Sequence, residues 1–131
     1  MRSVENRVER VQGKRVLIVE DEPMIAVLLE DILQEMGAQV IGIASTLDEA
    51  EAWAEEASVD AAVLDINLKG LMSYPAGERL WRRGVPFIFV TGFARDQVPA
   101  RLSAVPIVAK PYCLADIAFG LNRVLSARAA A

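Results

Sequence analysis

Val16-Leu17-Ile18-Val19-Glu20-Asp21 sets four apolar residues directly against two carboxylates. A short apolar run without polar alternation is the pattern of a strand covered on both faces, as parallel strands in α/β sheets are. The same arrangement recurs down the chain. Ala62-Val63-Leu64 runs into Asp65, Phe87-Ile88-Phe89-Val90 into Thr91, and Ile107-Val108-Ala109 into Lys110. In an open parallel sheet, ligands sit in the crevice outside the carboxyl ends of the strands, so these polar side chains are expected to converge. Three carboxylates, one hydroxyl and one ammonium are the parts needed to hold a divalent cation and accept a phosphoryl group.

Working outward, strands are expected at Arg15 to Val19, Gln39 to Ala44, Ala61 to Leu64, Phe87 to Val90 and Pro106 to Ala109, with helices between them. In the first helix Ile25, Leu28, Leu29, Ile32 and Met36 form an apolar stripe; Pro23 suits its first turn and Gly37 its end. The second starts at Ser45-Thr46-Leu47-Asp48, close to a capping box, and is expected to turn Leu47, Ala50, Ala54 and Ala57 inward, with Trp53 as packing. The third opens near Tyr74-Pro75, includes Leu80 and Trp81, and ends at Gly84. Between Gly92 and Pro106, Pro99-Ala100-Arg101-Leu102-Ser103 leaves room for barely more than one turn, so the fourth helix is stunted. The fifth carries Leu114, Ile117, Ala118, Leu121 and Leu125 at helical spacing. The predicted fold class is α/β, a doubly wound five-stranded parallel sheet of flavodoxin-like order with a shortened fourth helix.

With 131 residues, the chain is expected to form one domain over residues 14–127, after a charged leader at 1–13 and before a disordered tail at 128–131. Val4, Val8 and Val11 recur at helical spacing in the leader, which reads either as a frayed tail or as a dimerisation arm; the chain itself is expected to be a monomer or weak homodimer. Apolar residues make up 53%, yet no run approaches the ~18 that a membrane span needs. Met1-Arg2-Ser3-Val4-Glu5-Asn6-Arg7 has charges where a signal peptide needs an apolar stretch, so a cytoplasmic protein is expected. The net charge of -4 gives no electrostatic footprint for nucleic acid. Cys113 is the one cysteine and reads as helix-start packing, since the chain has no His to activate it; the lack of His also argues against zinc sites and Ser-His-Asp triads.

Taken singly, each polar strand end has a plainer reading. Glu20, Asp21 and Glu22 can complement a helix dipole, Asp65 can cap a turn, Thr91-Gly92 can form one, and Lys110 can be a solvated lysine. Independent caps would not fall at four strand ends of one sheet in complementary chemical types. Two carboxylates about 4 Å apart repel by roughly 4 kcal/mol at an effective dielectric of 20, so three in one crevice call for a cation such as Mg²⁺. A carboxylate so placed can act as a nucleophile and form an acyl phosphate, with Lys110 and the Thr91 hydroxyl on the equatorial oxygens.

At this point the chain resembles the receiver domain of two-component response regulators, over about Lys14 to Ala127. Val-Leu-Ile-Val-Glu-Asp-Glu-Pro, Val-Leu-Asp-Ile-Asn-Leu, Phe-Val-Thr-Gly-Phe and Val-Ala-Lys-Pro fall in the family's order. The resemblance implies that Asp65 is the phosphoacceptor and that Glu20 and Asp21 hold Mg²⁺ with Asp65 and the Asn67 carbonyl. It further implies that Thr91 and Lys110 bind the phosphoryl group and that the Lys110-Pro111 bond is cis. Its implied partners are a sensor histidine kinase or histidine phosphotransferase, and a downstream protein target.

The sequence also departs from the family. Receivers usually carry an aromatic ring three residues before the lysine, where this chain has Ile107. The intervals from Asp65 to Thr91 and from Thr91 to Lys110 are a few residues short. Phe89-Val90-Thr91-Gly92-Phe93 resembles the Phe-x-Thr-Gly-aromatic signature of an atypical single-domain subgroup, many from alphaproteobacteria, with Phe93 as candidate substitute reporter. No output domain follows the fifth helix, so a stand-alone receiver that signals by protein binding is expected, not an enzyme. The alternatives are a degenerate receiver acting as a constitutive interaction module, and a haloacid-dehalogenase-type phosphatase. The latter wants Asp-x-Asp, whereas Asp65-Ile66-Asn67 supplies an amide that cannot cycle a proton. A flavodoxin-like FMN protein lacks its Ser/Thr/Gly-rich phosphate loop after Val19.

Overall fold

The computed structural model describes residues 10–92 and 98–130, with side chains to residue 126. In chain order its strands are β1 (Arg15–Val19), β2 (Gln39–Ala44), β3 (Ala61–Asp65), β4 (Asn67–Leu68), β5 (Leu71–Met72), β6 (Phe87–Thr91) and β7 (Ile107–Ala109). The helices are α1 (Pro23–Glu35), α2 (Leu47–Ala54), α3 (Tyr74–Arg82) and α4 (Leu114–Ala130), with a 3-10 turn at Ala100–Leu102. Five strands pair in parallel in the order β2-β1-β3-β6-β7, the expected doubly wound arrangement.

β1 shows why the apolar runs are continuous. Val16 and Ile18 enter the core under α1 and α4, while Leu17 and Val19 enter the core under α2, α3 and the 3-10 turn. A strand covered on both faces has no solvent side on which to place polar residues. On the first face α1 contributes Leu29, Ile32 and Leu33, and α4 contributes Ile117, Ala118, Leu121 and Leu125. Each large aliphatic side chain so buried contributes about 1.5–3 kcal/mol. On the second face Phe89 meets Tyr74 and Phe87 edge-on, with ring centroids 5.7 and 5.4 Å apart.

Local chemistry explains the element ends. Thr46 Oγ1 accepts the Glu49 N–H at the start of α2, and the Glu49 carboxylate accepts the Ser45 N–H in return, a capping box displaced by one residue at its return bond. Within β2, Gly42 lies against the half-buried Trp53 indole; a Cβ there would overlap the ring. Trp53 is packing, as the sequence suggests. The stunted fourth helix is the 3-10 turn, held by fully buried Leu102 and by an ion pair of 2.8 Å from Arg101 to Glu78 of α3.

Several expectations need correction. Leu28 is 44% exposed, because α1 turns Ala26 and Leu33 inward instead. Ala57 is exposed, since α2 ends at Ala54. Cys113 does not pack: it is exposed, and its N–H donates to the Asp116 carboxylate at the start of α4. α4 continues to Ala130. The leader is partly integral to the domain. Val4 and Val8 lie outside the described residues, but Val11 is fully buried in the first core and the Gly13 N–H donates to the Gly37 carbonyl at 2.8 Å.

Candidate functional site

Parallel register brings the polar strand ends to one place. Val19 pairs with Leu64, so continuing the chain puts Glu20 level with Asp65. Asp65 pairs with Val90 and Thr91 with Ala109, so each step outward to β6 and β7 advances the polar residue by one position. The Glu20 N–H donates to the Ala44 carbonyl at 2.9 Å and the Lys110 N–H to the Thr91 carbonyl at 2.8 Å, which fixes both backbones just past their strands. The site lies where the order reverses between β1 and β3, the switch point of an open sheet.

The side chains meet there. Lys110 Nζ donates to Asp65 Oδ2 at 3.3 Å and to Glu20 Oε1 at 3.4 Å. Glu20, Asp21 and Asp65 each offer an oxygen, all within 4.8 Å of one another. Glu20 is only 1% exposed and Asp65 6%, so water screens them poorly. Burial first, and then the charge of Asp65, push Glu20 up to about 7, against the opposing pull of Lys110. Burial works against the Lys110 ammonium, but Asp65 and Glu20 outweigh it and hold that group above its ordinary value. Three carboxylates against one ammonium leave a deficit of positive charge in a partly buried crevice.

Hard oxygen donors this close together fit a small divalent cation. Thr91 closes β6, the strand paired with β3, and is buried at 4% exposed. The Lys110-Pro111 bond is cis, as the resemblance implies. Asn67 is half-buried beside Asp65, and its N–H donates to Asp65 Oδ1 at 3.3 Å. Its amide oxygen accepts the Gly70 N–H at 2.6 Å, closing the small β4–β5 hairpin that sequence periodicity did not reveal. Phe93, the candidate reporter, lies outside the described residues. Tyr112 escaped the sequence reading: its hydroxyl is buried, and burial together with the charges of Glu20 and Asp65 raises its phenol well above the ordinary range. Its only signal in the sequence is a hydroxyl two positions after Lys110.

Residues 16–118 match the family model of the response regulator receiver domain. The chain is a response regulator receiver domain. The receiver is similar to SdrG from Sphingomonas melonis Fr1, at 39% identity and a TM-score of 0.77, with 86% of this chain and 97% of that one covered. It is also similar to the response regulator PhyR from Brucella abortus, at 29% identity and a TM-score of 0.80, covering 99% of this chain and 55% of that one. Among curated proteins it is 35% identical over 126 residues to the transcriptional regulatory protein TcrA of Mycobacterium tuberculosis, covering 91% of this chain and 48% of the relative. The receiver spans about half the length of the curated relatives it matches. No helix among the described residues is long and apolar enough to cross a membrane.

Proposed function

We propose that this receiver is a working phosphoacceptor of a two-component relay, taking a phosphoryl group from a histidine kinase or histidine phosphotransferase in the cytoplasm. The observation that carries this reading is the ammonium of Lys110 set within 3.4 Å of both Glu20 and Asp65 at the switch point. An Asp65 oxygen attacks phosphorus, the bond from phosphorus to the donor imidazole nitrogen breaks, and the product is an acyl phosphate. Lys110 and the Thr91 hydroxyl hold the transferring oxygens. Glu20, Asp21, Asp65 and the Asn67 carbonyl would hold Mg²⁺, which supplies charge neutralisation at the phosphoryl oxygens. The Phe89-to-Phe93 motif favours the atypical subgroup, with Phe93 reporting the state in place of a ring at Ile107. Output is phosphorylation-dependent binding to a protein target.

A degenerate receiver would have no reason to keep the charge-strained set of Glu20, Asp65 and Lys110 buried together. The phosphatase reading meets a further obstacle, because the Asn67 side chain, besides being an amide, is engaged in the hairpin turn. Incubation with Mg²⁺ and acetyl phosphate, followed by intact mass measurement, tests the proposal. The native chain is expected to gain one hydroxylamine-labile phosphoryl group and Asp65→Asn none; a stable adduct, or an equal gain in both, would refute it.

A further inference from the structure

Lys14, Asp60, Pro86 and Pro106 stand immediately before β1, β3, β6 and β7, so they gather at the amino ends of the strands, opposite the crevice of Glu20, Asp65, Thr91 and Lys110. Two recesses open there and share the rim Gly84-Val85-Pro86. The first is an apolar cavity of about 300 Å³, lined by Trp81, Val105, Pro106 and Val124 beside that rim, with Arg123 as its one charged residue among those described. The second is cationic, lined by Arg10, Lys14 and Arg83. Its one described carboxylate, Asp60, is already taken by Arg15, through the Arg15 N–H at 2.8 Å and the guanidinium at 3.0 and 3.1 Å. Arg83 is held in place by donating one nitrogen to the Ala54 and Glu56 carbonyls at 2.6 and 3.1 Å. Its remaining nitrogens, like the side chains of Arg10, Lys14 and Arg123, have no hydrogen bond or ion pair among the described residues. In a chain of net charge -4, this local surplus of positive charge is a field that concentrates anions.

We infer that the amino ends of the strands carry a second binding site, for a guanine nucleoside polyphosphate, with its base in the apolar recess and its phosphates on Arg10, Lys14 and Arg83. Three cations without a free carboxylate match the several negative charges of a polyphosphate, and guanidinium groups fork onto phosphate oxygens. An indole beside two prolines suits a flat ring, since bases stack on aromatic side chains. The cavity lies at the small end of the range for ligand pockets, which suits a ring better than a long acyl chain. Arginine, the residue type at position 123, pairs with the O6 and N7 edge of guanine. Because the two recesses share three residues, one molecule can occupy both.

Calorimetric titration in EDTA keeps divalent cations, and so the acidic crevice, out of the measurement, and compares GTP with tripolyphosphate and with guanosine. GTP is expected to bind about 10-fold more tightly than either part, and to lose about 10-fold in affinity when Arg10→Gln and Lys14→Gln are combined. Trp81→Leu, at a half-exposed position, should weaken GTP about 10-fold and leave tripolyphosphate unchanged. Urea unfolding confirms that both variants keep the native fold. Tripolyphosphate binding as tightly as GTP would overturn the inference by reducing the site to a non-specific polyanion patch. Undiminished GTP affinity in the Arg10 and Lys14 variant, or no GTP binding at millimolar concentration, would also overturn it. So would a dimer in sedimentation that the same variant disperses, since a second copy of the chain would then be the occupant.

Discussion

Lys110 Nζ lies 3.3 Å from Asp65 Oδ2, although the two residues are 45 positions apart in the chain. The sheet makes this contact: β3 and β7 both flank β6, and their carboxyl ends open into one crevice. The ammonium neutralises only part of the charge around it, so the cation-free site is stabilised by Lys110 and strained by its carboxylates.

Lys110→Met and Asp65→Asn should therefore shift stability in opposite directions when Mg²⁺ is absent. Removing the ammonium leaves Glu20 and Asp65 uncompensated and should cost about 1–3 kcal/mol at pH 8, less than for a fully buried pair because the lysine is partly exposed. Removing the Asp65 charge relieves repulsion and should raise stability. Urea unfolding in EDTA measures both; loss of stability in both variants would show that the site carries no surplus negative charge.

Glu20 sets a pH dependence. Its carboxyl is pushed from an ordinary 4.5 up to about 7 in the folded protein. Below pH 4.5 both folded and unfolded chains are protonated at this group. Between 4.5 and 7 the folded state holds a proton that the unfolded state has released, so stability should fall as pH rises through this window and level off above it. Denaturant midpoints across the window in EDTA, with Glu20→Gln as the flattened control, check the sign.

Much of this fold was readable because burial on both faces removes ambiguity from the strands. Arg15–Val19 and Gln39–Ala44 have the bounds expected from their apolar runs, and the stunted fourth helix was visible in the prolines around it. Helix facing was less readable, since α1 is apolar on more than one side: Met24, Val27 and Leu28 are all exposed while Ala26 is buried. The β4–β5 hairpin was invisible because two-residue strands have no periodicity to read. The polar residues of the site stood out as interruptions of apolar runs. Tyr112 did not, because an aromatic residue beside a core looks like packing.

Gly42→Ala should cost about 1–3 kcal/mol, although it only adds one methyl group. The new Cβ would meet the Trp53 indole, so the strand or the ring must shift. Urea unfolding followed by tryptophan fluorescence should show a lower midpoint with an unchanged slope. A neutral result would mean that Trp53 is free to leave its seat on β2.

Signalling should be local. Ile107 offers no aromatic switch, and the Arg101–Glu78 ion pair ties the 3-10 turn to α3 with little helix to restrain it. Beryllofluoride with Mg²⁺ should shift NMR signals most from Thr91 to about Ser103 and beside Lys110, leaving α1 nearly silent. Phe93→Ala should leave phosphorylation intact while weakening docking to a kinase or target. Largest shifts on α2 or α3, or normal docking by Phe93→Ala, would assign the output to another surface.

The central claim is that Asp65 carries the phosphoryl group, and borohydride trapping tests it most directly, because reduction converts an aspartyl phosphate to homoserine. After treatment with acetyl phosphate and Mg²⁺, peptide sequencing should find homoserine at position 65 and nowhere else in the chain. Homoserine at Asp21 or another carboxylate, or phosphate retained on a serine or threonine with Asp65 unchanged, would contradict the account.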